Sequence, residues 1–433
     1  MTTQTTPPQK QALILGGGGS RGSYTMGVVA ALHENQYHYD LVTGISIGAL
    51  VGGAYAMHKE VDYSTIIDSF TDQSVASGLF QFPNRNSVLK DNPQTFNQFI
   101  QEFQQGGPNI NPLRESYSKI FDFEAFKNSS IDYICLAANL TQNKPAYFHK
   151  ADFQTKDEAI NAMLASAAYF PAFSFMEING NYYADGGYLN SQLGRAAVDL
   201  GYTNLTVVPL VDPGAPVNYC KEQTTLLIRP ILKLDYYLNF NKDQLVRQIE
   251  QGHLEALKYM NLAVGYVYTF YKEDAFLFKV LSKTAVSILK KNDISLTNEM
   301  LIDGITELLG YRPGDLNVPY MENYQVGLLL ECLALIAGIT PYKQYHLLPF
   351  VKDLLDRLEN FSVNITPQET GETLKMDRYG ALNLLAFFHH ALAENDGKLP
   401  VECEIVKNKF TSLYYLGLAW HILDKFSLVI NLF

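Results

Sequence analysis

Residues 41–50 read LVTGISIGAL and decide the fold of the first part of the chain. The apolar start of this stretch predicts a short buried strand, and the Ala- and Gly-rich residues 47–58 predict a helix. Between strand and helix lies a G-x-S-x-G pentapeptide, with Ser46 between Gly44 and Gly48. Such glycines let the backbone turn sharply and present the serine at the helix N-terminus, where a developing negative charge is stabilised. The pattern is typical of a nucleophilic serine; the alternative is a plain turn in which Ser46 caps the helix.

A second glycine-rich turn lies upstream of the first. Residues 12–15 are apolar and predict another buried strand, which four consecutive glycines end, and residues 24–34 then have helical character. The turn fits G-x-G-x-x-G, whose backbone N–H groups can bind an anion, either a dinucleotide pyrophosphate or an oxyanion. Its residues are Gly17, Gly18, Gly19, Ser20, Arg21 and Gly22. The Arg21 side chain fits two roles equally, offsetting a substrate phosphate or pairing with a carboxylate of the protein.

The alternation of strand, turn and helix continues down the chain and sets the fold class. Further predicted elements are a strand at 131–139, a helix at 157–168, a hairpin turning at Asn179 and Gly180, and a strand at 205–211. This alternation predicts an α/β fold, a three-layer sandwich around a mainly parallel sheet.

Asp185 follows the predicted hairpin, at the end of a strand, and precedes two more glycines, Gly186 and Gly187. Glycines at these positions let the backbone pass close to a neighbouring element. A carboxylate here fits a general base, and it fits a turn-forming aspartate equally well.

The three motifs together, in this order, resemble the patatin-like phospholipases over about residues 11–211. The stretch ASAAYFP at residues 165–171 is similar to the segment that precedes the aspartate in that family. The resemblance implies a dyad of Ser46 and Asp185 and an oxyanion hole in the glycine-rich turn. It also implies cleavage of lipid carboxylic esters through an acyl-enzyme, as in a phospholipase A, a lysophospholipase or another acyl hydrolase. No cofactor is implied.

The amino-acid composition limits which binding partners and which cellular location we expect for the protein. The 433 residues are 47% hydrophobic and 18% charged, with a formal net charge of −11. This charge argues against nucleic acid and against long-range attraction to anionic membranes, so membrane contact is expected to be peripheral. The four cysteines and nine histidines show neither zinc nor HExxH spacing, so no metal site is predicted. Because no signal peptide or transmembrane segment is recognised, we expect a cytoplasmic or membrane-peripheral protein, with non-classical export left open.

The chain is predicted to divide into a disordered lead (1–10), a catalytic domain (11–216) and a helical C-terminal domain (217–433). Residues 74–112, rich in Gln, Asn and Phe, are interpreted as a long irregular surface loop or lid. The helical half carries no chemical motif, and we expect it to stabilise the catalytic domain and control substrate access, or to bind a protein partner.

Two other functions compete with lipid hydrolysis. One is a catalytically silent scaffold that binds a partner through its helical half. The other is a nucleotide-binding oxidoreductase, which is disfavoured because Asp40 precedes the second strand instead of following it. A conventional Ser-His-Asp triad would need a histidine after the acid. Five histidines follow Asp185, all expected to be structural or on the surface: His253, His346, His389, His390 and His421.

Overall fold

The computed structural model describes residues 10–57, 110–170, 172–189, 192–359 and 378–430. The packing of the backbone divides the chain into two compact units, residues 1–256 and 257–433. Nearly all of the predicted disordered lead and of the predicted lid at 74–112 lies outside the described residues. The domain boundary predicted at residue 216 stays a prediction about function; the packing unit that contains it extends to residue 256.

The first unit is built around one mixed sheet. Its strands are β1 (Gln11–Leu15), β2 (Leu41–Ile45), β3 (Asp132–Asn139), β4 (Lys144–His149), β5 (Met176–Ile178), β6 (Asn181–Asp185), β7 (Asn204–Val208) and β8 (Thr224–Leu227). They run in the order β5-β6-β3-β2-β1-β7-β8, with β4 also paired to β3. β3, β2, β1, β7 and β8 are parallel, whereas β4, β5 and β6 make antiparallel pairs. The mainly parallel sheet predicted from the sequence is therefore confirmed.

Helices cover both faces of this sheet. They are α1 (Gly22–Glu34), α2 (Ile47–Ala56), α3 (Asn111–Ile120), α4 (Phe123–Asn128), α5 (Lys156–Ser166), α6 (Arg195–Asp199) and α7 (Lys242–Tyr259). Because strand side chains alternate between faces, Ile14 packs in one cluster with Ala197 of α6, whereas Leu15 and Val42 face Gly52 of α2. The three-layer α/β architecture is thus confirmed.

The sheet topology brings the predicted motifs to one edge. Leu15 at the end of β1 pairs with Gly44 near the end of β2, so the turns that follow these parallel strands emerge side by side. Asp185, the last residue of β6, lies opposite Ala137 of β3, next to the position where β3 pairs with the end of β2. The hairpin that delivers Asp185 turns as predicted, with positive φ at Asn179 (50°) and Gly180 (74°).

The second unit is mainly helical, as predicted. Its helices are α8 (Ala275–Lys291), α9 (Asn298–Leu309), α10 (Gln325–Ile336), α11 (Leu347–Glu359), α12 (Arg378–Glu394), α13 (Glu404–Lys409) and α14 (Thr411–Ile430). Three short strands that the sequence did not predict form a small sheet: β9 (Ala263–Val264), β10 (Thr269–Tyr271) and β11 (Gln344–Tyr345). The turn between β9 and β10 is held by buried Glu331, which accepts the N–H groups of Tyr266 (2.8 Å) and Val267 (2.7 Å). Within the described residues no helix combines the length and apolarity needed to cross a membrane.

Candidate active site

Ser46 occupies a strained turn between β2 and α2. Its φ and ψ are 57° and −129°, a backbone conformation that residues other than glycine rarely adopt. A Cβ at Gly44 would lie 2.3 Å from the carbonyl oxygen of Gly48, and one at Gly48 would lie 2.5 Å from that of Leu15. Both positions therefore require glycine. Ser46 stands at the N-cap position of α2 but its side chain makes no capping hydrogen bond, so its hydroxyl is not used as a helix cap.

Buried Ser166 holds the backbone of this turn. The Ser46 N–H donates to the Ser166 hydroxyl oxygen (2.9 Å), and that hydroxyl donates to the carbonyl of Leu136 on β3 (2.6 Å). The strained serine is thereby tied to the neighbouring strand. Sequence reasoning placed Ser166 in the family-like stretch without giving it a role, because the contact joins residues 120 positions apart.

Asp185 and Ser46 line the same cavity, and the Ser46 side chain is close enough to lower the pKa of the Asp185 carboxyl group. The carboxylate accepts the N–H of Gly187 (2.7 Å), and the backbone N–H of Asp185 donates to the carbonyl of Ala168 (2.9 Å). Burial raises the pKa of Asp185 to about 6, against the opposing effects of Ser46 and of the Gly187 N–H. A Cβ at Gly186 would lie 2.1 Å from the carbonyl oxygen of Leu136, so only glycine lets the aspartate approach this closely.

The glycine-rich turn lies against Ser46. A Cβ on Gly17 would approach the Ser46 Cβ to 2.9 Å. Among the described residues, the N–H groups of Gly17, Gly18 and Gly19 have no acceptor, so they remain available to an oxyanion. The backbone N–H groups of the other three predicted members donate to carbonyls of the protein. Ser20 donates to the carbonyl of Tyr237 (2.8 Å), Arg21 to that of Gly18 (3.1 Å), and Gly22 to those of Gly19 and Ser20.

A segment beyond residue 216 fixes this turn in place. Gly19 adopts φ of +57°, and a Cβ there would lie 2.1 Å from the Tyr237 carbonyl oxygen. The Ser20 hydroxyl donates to Tyr236 (3.1 Å), and Arg21 Nε donates to Asp235 (2.8 Å). The Arg21 guanidinium also pairs with Asp212 at 2.8 Å, which favours the structural one of its two predicted roles.

Buried Glu255 on α7 anchors the same segment. Its carboxylate accepts the N–H groups of Ile231 (2.8 Å) and Leu232 (3.0 Å) and the hydroxyl of Tyr24 on α1 (2.9 Å). Nothing in the sequence marked Glu255 or Tyr237, because neither belongs to a local motif. Residues 217–256 are thus structural parts of the site.

Ser46 and Asp185 open into a cavity of about 460 Å³ within the first unit. Asp185 is the only charged residue among the described residues that line it. Apart from Ser46 and Asn218, the rest of the described wall consists of the glycine loop and of aliphatic and aromatic residues, including Ile45, Ile47, Leu50, Leu113, Phe173, Leu189, Leu210, Leu238, Phe240, Tyr169, Tyr188 and Tyr237. Such a lining accommodates an apolar chain beside Ser46.

The histidines downstream of Asp185 lie outside the cavity wall. His253 pairs with Glu34 (2.7 Å) on α1, and His389 pairs with Asp424 (2.5 Å) in the second unit. None of the five downstream histidines is among the residues that line the cavity. In the part of the chain that the structure describes, no three His, Cys, Asp or Glu side chains are grouped to hold a metal ion.

Comparison with known proteins agrees with the motifs. The family model of the patatin-like phospholipases matches residues 13–193. This match confirms the resemblance to the patatin-like phospholipases that was inferred from the sequence.

Two relatives show how far the similarity extends. Lysophospholipase NTE1 of Meyerozyma guilliermondii is 32% identical over 215 residues, which cover 48% of this chain and 13% of the relative. Lysophospholipase NTE1 of Candida albicans is 30% identical over 213 residues, which cover 48% of this chain and 14% of the relative. The match thus spans about half of this chain and a small part of either relative.

Among solved structures, VipD from Legionella pneumophila superimposes with a TM-score of 0.33 and 12% identity. The superposition covers 98% of this chain and 92% of VipD. At this score the likeness carries no argument about fold or function.

Proposed function

We propose that the chain is a serine hydrolase of lipid carboxylic esters, with Ser46 as nucleophile and Asp185 as general base. The observation that carries the proposal is the placement of Ser46, at a strained strand-to-helix turn, on the wall of the same cavity as Asp185, whose pKa is raised to about 6 by burial. A carboxyl group with this pKa is a stronger base than an exposed aspartate and is still ionised at neutral pH. The match to the family model and the names of the lysophospholipase relatives support the same class of substrate.

In the first half-reaction the Ser46 hydroxyl oxygen attacks the ester carbonyl carbon while Asp185 accepts its proton. The negative charge that develops on the carbonyl oxygen is stabilised by N–H groups of Gly17, Gly18 and Gly19. Collapse of the tetrahedral intermediate breaks the bond to the alcohol. The leaving oxygen takes the proton from Asp185, and the acyl group remains on Ser46.

In the second half-reaction water attacks the acyl-enzyme. Asp185 accepts a proton from the water, and the same N–H groups hold the oxyanion. Collapse then releases the fatty acid and returns the proton to the Ser46 oxygen. The apolar cavity is proposed to hold the acyl chain throughout, which is consistent with Asp185 being the one charged side chain among the described residues of its wall.

The proposal is tested by the hydrolysis of a soluble short-chain aryl ester and of a lysophospholipid. Wild-type protein should cleave both, and Ser46→Ala should cleave neither while keeping its circular dichroism spectrum. His389→Ala and His390→Ala are matched controls and should retain activity, because both residues lie outside the cavity wall. A histidine variant as inactive as Ser46→Ala would replace the dyad with a conventional triad.

A further inference from the structure

Aromatic side chains form a group beside the cavity, three of them exposed and Phe170 half-buried. We call Phe170, Phe175, Tyr188 and Tyr236 the aromatic rim. Tyr188 lines the cavity and is 51% exposed, and its hydroxyl donates to the carbonyl of Phe170. The Phe170 ring stacks on the exposed ring of Phe175, with centroids 4.7 Å apart.

The rim is continuous with the aromatic wall of the cavity. Tyr188 stacks on Tyr169 with centroids 5.5 Å apart, and Tyr169 meets Tyr237 edge to face at 5.9 Å. The Tyr237 ring lies 4.5 Å from that of Tyr236, which is 43% exposed. A chain of touching rings therefore leads from the protein surface into the cavity that contains Ser46. Single exposed apolar residues need no explanation, but a contiguous patch at a site mouth does.

Two acidic side chains on the Tyr236 side of the rim are paired with arginines. Asp235, which precedes Tyr236, pairs with Arg247, and Asp212 pairs with Arg21 at 2.8 Å. The rim itself consists of uncharged rings, and the chain as a whole carries a net charge of −11. A surface of this kind is suited to a zwitterionic or uncharged lipid interface and not to an anionic one.

We propose that the aromatic rim docks the first unit on the surface of zwitterionic or uncharged lipid, so that the cavity mouth faces the lipid. Tyrosine and phenylalanine rings partition into the boundary between head groups and acyl chains, and their burial there removes apolar surface from water. An acyl chain could then pass from the lipid to the cavity along the touching rings without crossing bulk water. The proposal rests on the proposed lipid hydrolysis for its purpose, but docking itself needs no catalysis.

The test measures binding and catalysis separately. Binding to phosphatidylcholine vesicles is measured by co-sedimentation in a Ser46→Ala background, so that no lipid is consumed. Phe175→Ser should weaken binding several-fold, and Phe170→Ser combined with Phe175→Ser should weaken it by at least about tenfold, because affinity scales with the buried apolar area. Leu200→Ser, which removes an equally exposed apolar side chain after α6, is the matched control and should bind like its parent.

With Ser46 intact, the double variant should hydrolyse a soluble aryl ester at the parental rate, since neither phenylalanine lines the cavity. Adding phosphatidylserine to the vesicles should not strengthen binding, and added salt should not weaken it.

The proposal is overturned if the double variant binds vesicles as well as its parent, or if the parent does not bind. It is also overturned if the rim instead mediates a concentration-dependent dimer, seen by light scattering, that the double variant abolishes. If wild-type protein does not hydrolyse the soluble ester, the proposed function is contradicted, whereas the docking result is unaffected.

Discussion

The hydroxyl of Ser166 accepts a hydrogen bond from the backbone N–H of Ser46 at 2.9 Å and donates one to the Leu136 carbonyl at 2.6 Å. These two buried hydrogen bonds tie the strained serine turn to the centre of the sheet. Because Ser46 holds a φ of 57°, its conformation persists only while surrounding groups enforce it.

Replacing Ser166 with alanine should therefore impair the serine turn. Without the hydroxyl, the N–H of Ser46 and the carbonyl of Leu136 lose their buried partner, and the Ser46 side chain loses its fixed position relative to Asp185. We expect kcat for a soluble ester to fall about tenfold to a hundredfold with KM nearly unchanged. Ser116→Ala, at another buried serine, is the control and should keep its kcat. Equal loss in both variants would assign Ser166 a general structural role.

The pH dependence of hydrolysis should follow the ionisation of Asp185. The base must be deprotonated to accept the serine proton, and burial raises its pKa to about 6. We expect kcat/KM for a soluble ester to fall as pH decreases below about 6 and to level off above it. A profile measured from pH 4 to 9 checks this, and one ionisation is expected. A rate that stays constant down to pH 4 would contradict the raised pKa of the base.

The same raised pKa has a consequence for stability. Since the folded protein binds this proton more tightly than the unfolded chain does, ionised Asp185 lowers the free energy of unfolding as pH rises through about 6. Asp185→Asn removes that charge and should raise Tm above pH 6, with an advantage that shrinks as pH falls towards 4. The variant should also lose about four orders of magnitude in activity. A variant that is less stable than wild type across the whole pH range would contradict the assigned desolvation.

Glu255 should be required for the geometry of the glycine turn although it lies outside the family match. The Glu255 carboxylate accepts hydrogen bonds from Tyr24, Ile231, Leu232 and Gln251. Glu255→Gln would therefore place an amide NH₂, itself a donor, against one of these donors. We expect the variant to lose about 1–3 kcal/mol of stability and to lose turnover at temperatures where it is still folded. Glu250→Gln, on the exposed face of the same helix, is the control for α7. Unchanged turnover in folded Glu255→Gln would separate this carboxylate from the site.

The sequence predicts those parts of the fold whose cause is local. The Asn179-Gly180 turn requires positive φ, and the glycines around Ser46 require close backbone approach, so both can be identified from neighbouring residues alone. Parallel pairing then brings the turns after β1 and β2 to the same edge of the sheet, as the alternation of elements indicates.

The remaining features depend on contacts between distant residues. Glu255 reaches Tyr24 across 231 positions, and Tyr237 meets Ser20 only after the chain has folded back on itself. Strand β4 is largely exposed and lacks the apolar run that marks a buried strand, and β9 to β11 are too short to show alternation. Such features follow from tertiary packing, which no window of sequence encodes.

The central claim is that Ser46 is the nucleophile, and labelling with a fluorophosphonate followed by peptide mapping tests it most directly. The reagent forms a covalent bond only with a serine whose hydroxyl is activated by a base. We expect one adduct per chain, on the peptide that contains Ser46, with labelling slowed in Asp185→Asn and absent in Ser46→Ala. An adduct on another residue, or ester hydrolysis by a wild-type protein that the reagent neither labels nor inhibits, would contradict the account.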